Sequence, residues 1–211
     1  MASRDPNLSN LVEKFRGVKP PRFPTIFETL ANAFALQQFS LTVGIELLNR
    51  LIRASGVSLK QDDGTTQYAF PRPQELLKLD PSAIRELGFS GTKVRAFLEL
   101  AENVARGRVN FIFLETMDNE AVVRSLLELR GVGRWTAEYV LLRGLAPLDV
   151  FPGDDVGARN RLAKWMNRKQ PLDYAGVARL TKRWHPYEGM VYFHMLLEGL
   201  SESGQLEVSR S

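Results

Sequence analysis

Apolar residues in this chain recur three and four positions apart over most of its length, and almost nowhere at every second position. That spacing is the period of helices packed on one face, and strand signal is weak throughout. Phe27, Leu30, Ala31 and Phe34 share a face behind Thr25, which predicts a capped helix ending near Gln37-Gln38-Phe39. Ser40 predicts the cap of a second helix through Val43, Leu47, Leu48, Leu51 and Ile52, closed by Ser55-Gly56. Residues 56–72 read as a polar loop that turns at Asp62-Asp63-Gly64. Pro73 starts a short helix to Leu79, and Asp80-Pro81 starts another that Gly88 closes. Gly91-Thr92 opens a long helix with Val94, Phe97, Leu98, Ala101 and Val104 on one face, ended by Gly107. Asp118 caps a helix carrying Val122, Val123, Leu126 and Leu127. Two glycines follow at positions 131 and 133, then a run free of Gly and Pro as far as Arg143, so the segment reads as helix, tight hairpin, helix.

The segment from Gly144 to Gly153 is irregular, with Pro147 and Pro152. Beyond it, Asp154 or Asp155 caps a helix through Leu162 and Trp165, and Asp173 caps another to about Trp184. Pro186 precedes a last helix carrying Val191, Phe193, Leu196, Leu197 and Leu200. The prediction is an all-α protein of about ten helices with no repeat of fixed period. Residues 1–24 read as a loosely ordered arm whose Leu11, Val12 and Phe15 pack on the body, residues 25–200 as the folded core, and residues 201–211 as a frayed tail.

Composition narrows the function. The chain has 211 residues, 44% of them hydrophobic, which is enough for one or two domains with a sizeable core. There is no apolar run of about 18 residues, and residues 1–10 hold no apolar signal core, so an intracellular protein without a membrane partner is expected. The absence of cysteine excludes disulfides, zinc thiolate sites and cysteine-ligated iron–sulfur clusters. Two histidines make a catalytic zinc site improbable as well. The net charge of +4 is unevenly spread: residues 124–183 hold 12 Lys and Arg against 6 Asp and Glu, the remainder 16 against 18. A basic half that contains the glycine hairpin suggests a polyanionic partner.

Glycines in a short turn let backbone amides face outward, and the helix that follows adds its own N-terminal amides and dipole. Gly131, Val132, Gly133 and Arg134 therefore form a candidate phosphate cradle, with Arg130 on the other flank. A contact of this kind holds nucleic-acid backbone and reads no sequence. An ordinary glycine-capped turn would look the same. Pro152-Gly153 delivers Asp154-Asp155 to a helix start, where one carboxylate caps and the other is left for another task.

Leu129 to Arg143, taken with Asp149-Val150-Phe151-Pro152-Gly153-Asp154-Asp155, resembles the helix-hairpin-helix DNA glycosylase superfamily. Three features make it similar to the alkylated-base branch, the 3-methyladenine DNA glycosylase II type: Gly131 to Ala137; Ala35-Leu36-Gln37-Gln38-Phe39-Ser40; and Arg183-Trp184-His185-Pro186-Tyr187 with Tyr192-Phe193-His194. The resemblance spans roughly residues 20–200. It implies a two-lobed α-helical fold, one lobe formed mainly by the middle of the chain and the other by both ends, with the active site in the cleft between lobes. It places the catalytic aspartate on Asp155 and the wedge into the DNA stack on Gln38, with Gln37 beside it. It also implies a structural Na+ or K+ held by main-chain carbonyls near Leu127, Leu129 and Val132, with no other cofactor required. Bifunctional members carry lysine where this chain has Trp135, so the resemblance implies a monofunctional enzyme.

The expected activity is base excision repair: a monomer flips an alkylated purine, of the 3-methyladenine or 7-methylguanine type, out of duplex DNA and hydrolyses its N-glycosidic bond. Trp135 and Tyr139, four apart on one helix, line one wall of the base pocket, where electron-rich rings suit a cationic base. Both rings in the core is the alternative. Such a base leaves as a neutral molecule, so the remaining task is to stabilise the oxocarbenium-like sugar and orient water, which falls to the Asp155 carboxylate. His194 reads either as a polar group at the pocket or as a core histidine. Other lesions, such as ethenoadenine or hypoxanthine, and a non-catalytic DNA-binding module are the competing functions.

Overall fold

The computed structural model describes residues 6–206. They divide into two compact units, a middle unit of residues 23–140 and a terminal unit of residues 6–22 with 141–206. The chain starts in the terminal unit with α1 (Pro6–Lys14).

The middle unit then runs through α2 (Ile26–Leu36), α3 (Leu41–Ser55), β1 (Ser58–Lys60), β2 (Thr66–Tyr68), α4 (Pro73–Leu76), α5 (Pro81–Glu86), α6 (Gly91–Ala105), α7 (Asn119–Leu127) and α8 (Arg134–Val140). The predicted caps form. Thr25 Oγ1 accepts from the Glu28 amide, Ser40 Oγ from Val43, and Asp118 Oδ1 from Ala121. The cap of α6 is Ser90, one residue before the predicted start, and its hydroxyl accepts from the Lys93 amide. Each cap supplies an acceptor for an amide that has no partner inside its helix. The core is aromatic at its centre, where Phe34 and Phe89 both meet Phe97 edge to face at 5.6 and 5.2 Å.

Two features depart from the predicted pattern. Residues 56–72 hold an antiparallel hairpin, with Ser58 opposite Tyr68 and Lys60 opposite Thr66. All six strand residues are exposed, so no inward and outward alternation betrays them in the sequence. The hairpin is held at its turn, where Asp63 Oδ1 accepts from both the amide and the hydroxyl of Thr65. The second departure is at α8. The unbroken helix expected to Arg143 is α-helical only to Val140 and then widens into a π-helical turn over Leu141–Leu145, closed by the Ala146 amide on the Leu141 carbonyl at 2.8 Å.

The terminal unit comprises α1, that π-turn, α9 (Val156–Trp165), α10 (Tyr174–Thr181) and α11 (Glu188–Glu202). Leu8 and Leu11 of α1 and Phe15 just beyond it are at most 3% exposed and share a core with Leu142, Leu162, Trp184 and Val191. α1 is thus a core element rather than a loose arm. The proline-rich segment behind it is fastened by polar contacts: His194 Nε2 donates to the Val18 carbonyl at 2.9 Å, Arg143 Nε donates to that of Pro21 at 2.7 Å, and Arg22 donates twice to that of Gly144. His194, 4% exposed, is therefore a core histidine. The frayed tail expected from residue 201 does not begin there, since α11 runs through Glu202 and Leu206 packs against the same core. The rest of the expected tail, residues 207–211, lies outside the described residues, as do residues 1–5 of the expected arm.

Candidate active site

In the middle unit the sequence-predicted residues meet around the α7–α8 hairpin. Gly131 has φ +81°, and a Cβ there would stand 2.9 Å from the Cβ of Ala96. Both conformation and space require glycine. Gly133 is different: nothing lies within 4 Å of a Cβ added to it. The amides of Gly131 and Gly133 have no acceptor among the described residues, whereas Val132 donates its own to the Leu129 carbonyl at 3.1 Å. Val132 is 8% exposed and plugs the hairpin into the core. Its part in the cradle is thereby corrected from donor to anchor. The flanking arginines are engaged as well. Arg130 pairs with Glu99 at 2.6 Å, and Arg134 stands 3.6 Å from Glu138, a carboxylate that is 4% exposed.

The two glutamines separate. Gln37 Nε2 donates to the Gly131 carbonyl at 2.8 Å and to Thr136 Oγ1 at 2.9 Å. It therefore ties the α2–α3 turn to the hairpin, and the expectation that it accompanies the wedge gives way to a bracing role. Gln38 is exposed, sits at φ +61°, and makes no side-chain hydrogen bond among the described residues.

The ring pair is present. Trp135 and Tyr139 lie 5.4 Å apart between centroids with planes 32° apart. Trp135 is partly exposed, and Tyr139 is 7% exposed with its hydroxyl 3.4 Å from Asn32 Oδ1. Asn32 and, one turn earlier on α2, Glu28 form a half-buried polar stripe that the sequence reading missed. Burial holds the Glu28 carboxyl above its ordinary range. Lys93 is another residue that the sequence reading did not single out. It is 7% exposed, its Nζ donates to the carbonyls of Gln37 at 2.6 Å and Ala35 at 3.3 Å, and it lies 4.0 Å from the centre of the Phe39 ring. Burial pushes its ammonium down to about 8. Its one mark in the sequence is its place just inside the helix that Gly91-Thr92 opens.

In the terminal unit, Asp155 is itself the cap of α9. Its Oδ1 accepts from the Ala158 amide at 2.8 Å and its Oδ2 accepts from the Tyr192 hydroxyl at 2.9 Å. One acid caps and the other does not, as expected, and the capping residue is the candidate catalytic one. Asp154 instead stands 3.9 Å from Arg159. Tyr192, 3% exposed and edge to face with Phe151, fixes the carboxylate from a helix 37 residues further on.

A helical hairpin whose two glycine amides have no acceptor among the described residues, a tilted ring pair on its second helix and, in the terminal unit, a helix-capping aspartate behind a Pro-Gly turn are the features of a helix-hairpin-helix protein. Residues 31–189 match the HhH-GPD superfamily of base excision DNA repair proteins, and the chain belongs to that superfamily. It is 28% identical over 197 residues to a DNA-3-methyladenine glycosylase of Bacillus subtilis, covering 92% of this chain and 64% of that protein. It is 29% identical over 179 residues to DNA-3-methyladenine glycosylase 2 of Escherichia coli, covering 85% and 60%. Among solved structures, 3-methyladenine DNA-glycosylase from Archaeoglobus fulgidus superposes with a TM-score of 0.83 at 26% identity, covering 98% of this chain and 69% of that one. The chain spans about three fifths of the length of the curated relatives it matches.

Proposed function

We propose that this protein is a monofunctional DNA glycosylase that hydrolyses the N-glycosidic bond of alkylated purines in duplex DNA. The observation that carries the reading is Asp155, a carboxylate fixed through both oxygens by the Ala158 amide and the Tyr192 hydroxyl. A fixed carboxylate suits a reaction in which positive charge develops on a sugar, because no reorganisation is needed as the charge appears. A cationic methylated purine takes the bond electrons and leaves neutral. Water then adds to the sugar carbon and gives up its proton, for which Asp155 is the acceptor. The names of the relatives support the substrate class, and the adjacent Trp135 and Tyr139 rings suit a cationic base.

Trp135 has no amine to form a Schiff base, and Lys93, the buried lysine among the described residues, has its Nζ committed to two carbonyls. Both support hydrolysis without strand cleavage. The hairpin supports backbone binding through the Gly131 and Gly133 amides, with Gln38 as wedge. The Leu127 and Val132 carbonyls accept no hydrogen bond among the described residues, and that of Leu129 accepts one. Such hard oxygens fit a monovalent cation, which would add positive charge beside a bound phosphate.

Free methylated purine released from alkylated duplex DNA, with no borohydride-trapped protein–DNA adduct, is the expected result. Absence of release, or a trapped adduct, would sink the hydrolytic reading. Etheno- and hypoxanthine-containing duplexes run alongside define the lesion range.

A further inference from the structure

Helix α2 ends against a lysine. Its last carbonyls have no donors within the helix and carry the negative end of its dipole. Most helices meet this need with a glycine beyond the end or with water. Here the next residues are Gln37, Gln38 and Phe39, and Gln38 takes the left-handed conformation, φ +61°, that glycine ordinarily occupies. The stem of Lys93 runs through the core from α6, and its ammonium donates to the carbonyls of Ala35 and Gln37, on either side of the helix end. The same ammonium lies under the Phe39 ring at 4.0 Å. It thus grips the turn at residues 35, 37 and 39, on both sides of Gln38. From the other side, the Gln37 amide ties the turn to Gly131 and Thr136 of the hairpin.

An exposed side chain on a left-handed residue is unusual, and it persists only where the surroundings hold it. The two sets of ties are those surroundings. We propose that Lys93 is a positioning residue that presents Gln38 to the duplex, so that it governs opening of the base stack and has no part in bond cleavage. This rests on the reading of the chain as a DNA glycosylase. It differs from a plain packing role in one respect: its effect should require a base stack to open.

The test compares substrates. Lys93→Met keeps the stem and removes the charge, whereas Lys93→Arg keeps a cation. Single-turnover release of methylated purine is measured from duplex and from single-stranded DNA of the same sequence. Stack opening is read separately by the fluorescence of 2-aminopurine opposite an abasic-site analogue. Loss of a buried charged hydrogen-bond donor predicts roughly a tenfold fall for Lys93→Met on duplex and a matching loss of fluorescence change. Release from single strands should stay within about twofold, and Lys93→Arg should recover most of the duplex rate. In a Gln38→Ala background, Lys93→Met should add little, since the two act through one step. An equal fall on both substrates, or an unchanged duplex rate, would overturn the proposal. If Lys93→Met does not fold, Phe39→Leu at the exposed face of the same contact should give a weaker duplex-only defect, and an equal defect on both substrates would count against it. A wild-type protein that releases no base from any substrate refutes the glycosylase reading, while the 2-aminopurine signal still decides the role of Lys93.

Discussion

The hairpin region of the middle unit and the Asp155 segment of the terminal unit are built on opposite plans. Around the hairpin, the outward groups are backbone amides, and side chains only hold them in place: Gln37 of the α2–α3 turn on Gly131 and Thr136, Lys93 of α6 on the end of α2, and Val132 of the hairpin itself in the core. In the terminal unit, one carboxylate caps α9, receives the Tyr192 hydroxyl and is the proposed catalytic group. Backbone recognition spreads its dependence over many residues and tolerates change at each. A single carboxylate concentrates it. Mutations should therefore divide into graded binding defects in one region and an all-or-none catalytic defect in the other.

The largest effect is expected from Asp155→Asn. The amide oxygen can still accept from Ala158, so the cap survives while the negative charge goes. Single-turnover excision should fall by about 100-fold or more, with DNA affinity and melting temperature close to wild type. Comparable activity in that variant would erase the contrast between the regions. Next come the two glycines. Gly131→Ala forces a Cβ into a left-handed residue 2.9 Å from Ala96 and should cost about 1–3 kcal/mol in denaturant unfolding. Gly133→Asp has open space and should leave stability within about 1 kcal/mol while weakening DNA binding roughly tenfold, because the added charge faces the phosphate. Unchanged affinity for Gly133→Asp would remove the hairpin from the binding site.

Tyr192→Phe should slow excision by a smaller factor, about three- to tenfold, with KM unchanged, because it removes one hydrogen bond to Asp155 without touching its charge. A change in KM alone would move Tyr192 from positioning to binding. The smallest effect is in pH. Lys93 is lowered from 10.5 to about 8 in the folded protein, so between those values the unfolded chain holds a proton that the folded one has released. Its burial cost is thus fully present below about 8 and is relieved as pH rises toward 10.5, which adds to unfolding free energy across that window. Relative to Lys93→Met, the wild type should gain stability with rising pH there. A gain with falling pH would contradict the buried ammonium.

Much of this was legible from residue types alone, because caps and turns are local chemistry. Thr25, Ser40, Asp118 and Asp173 each bind an amide three residues on, and the sequence shows donor and acceptor together. The glycine hairpin and the Pro-Gly-Asp-Asp turn are local in the same sense. The β1–β2 hairpin escaped because both its faces are exposed, and the π-turn escaped because Leu141 to Leu145 has nothing in its composition to distinguish it from α-helix.

The sequence by itself determined the helical class, most helix starts, the absence of cysteine chemistry, and the resemblance that placed Asp155, Gln38 and Trp135. Only the tertiary structure decided what those residues touch. Gln37 and Gln38 are adjacent and chemically identical, yet one is bound to Gly131, 94 positions away, and the other is exposed. Asp154 and Asp155 are equally adjacent, and the packing of Tyr192 and the start of α9 separate their roles. Lys93 reads as one surface lysine among many until α6 is packed against the end of α2. The physical reason is common to all three. A side chain's chemistry is set by its type, but its use is set by neighbours that meet only when distant segments are folded together.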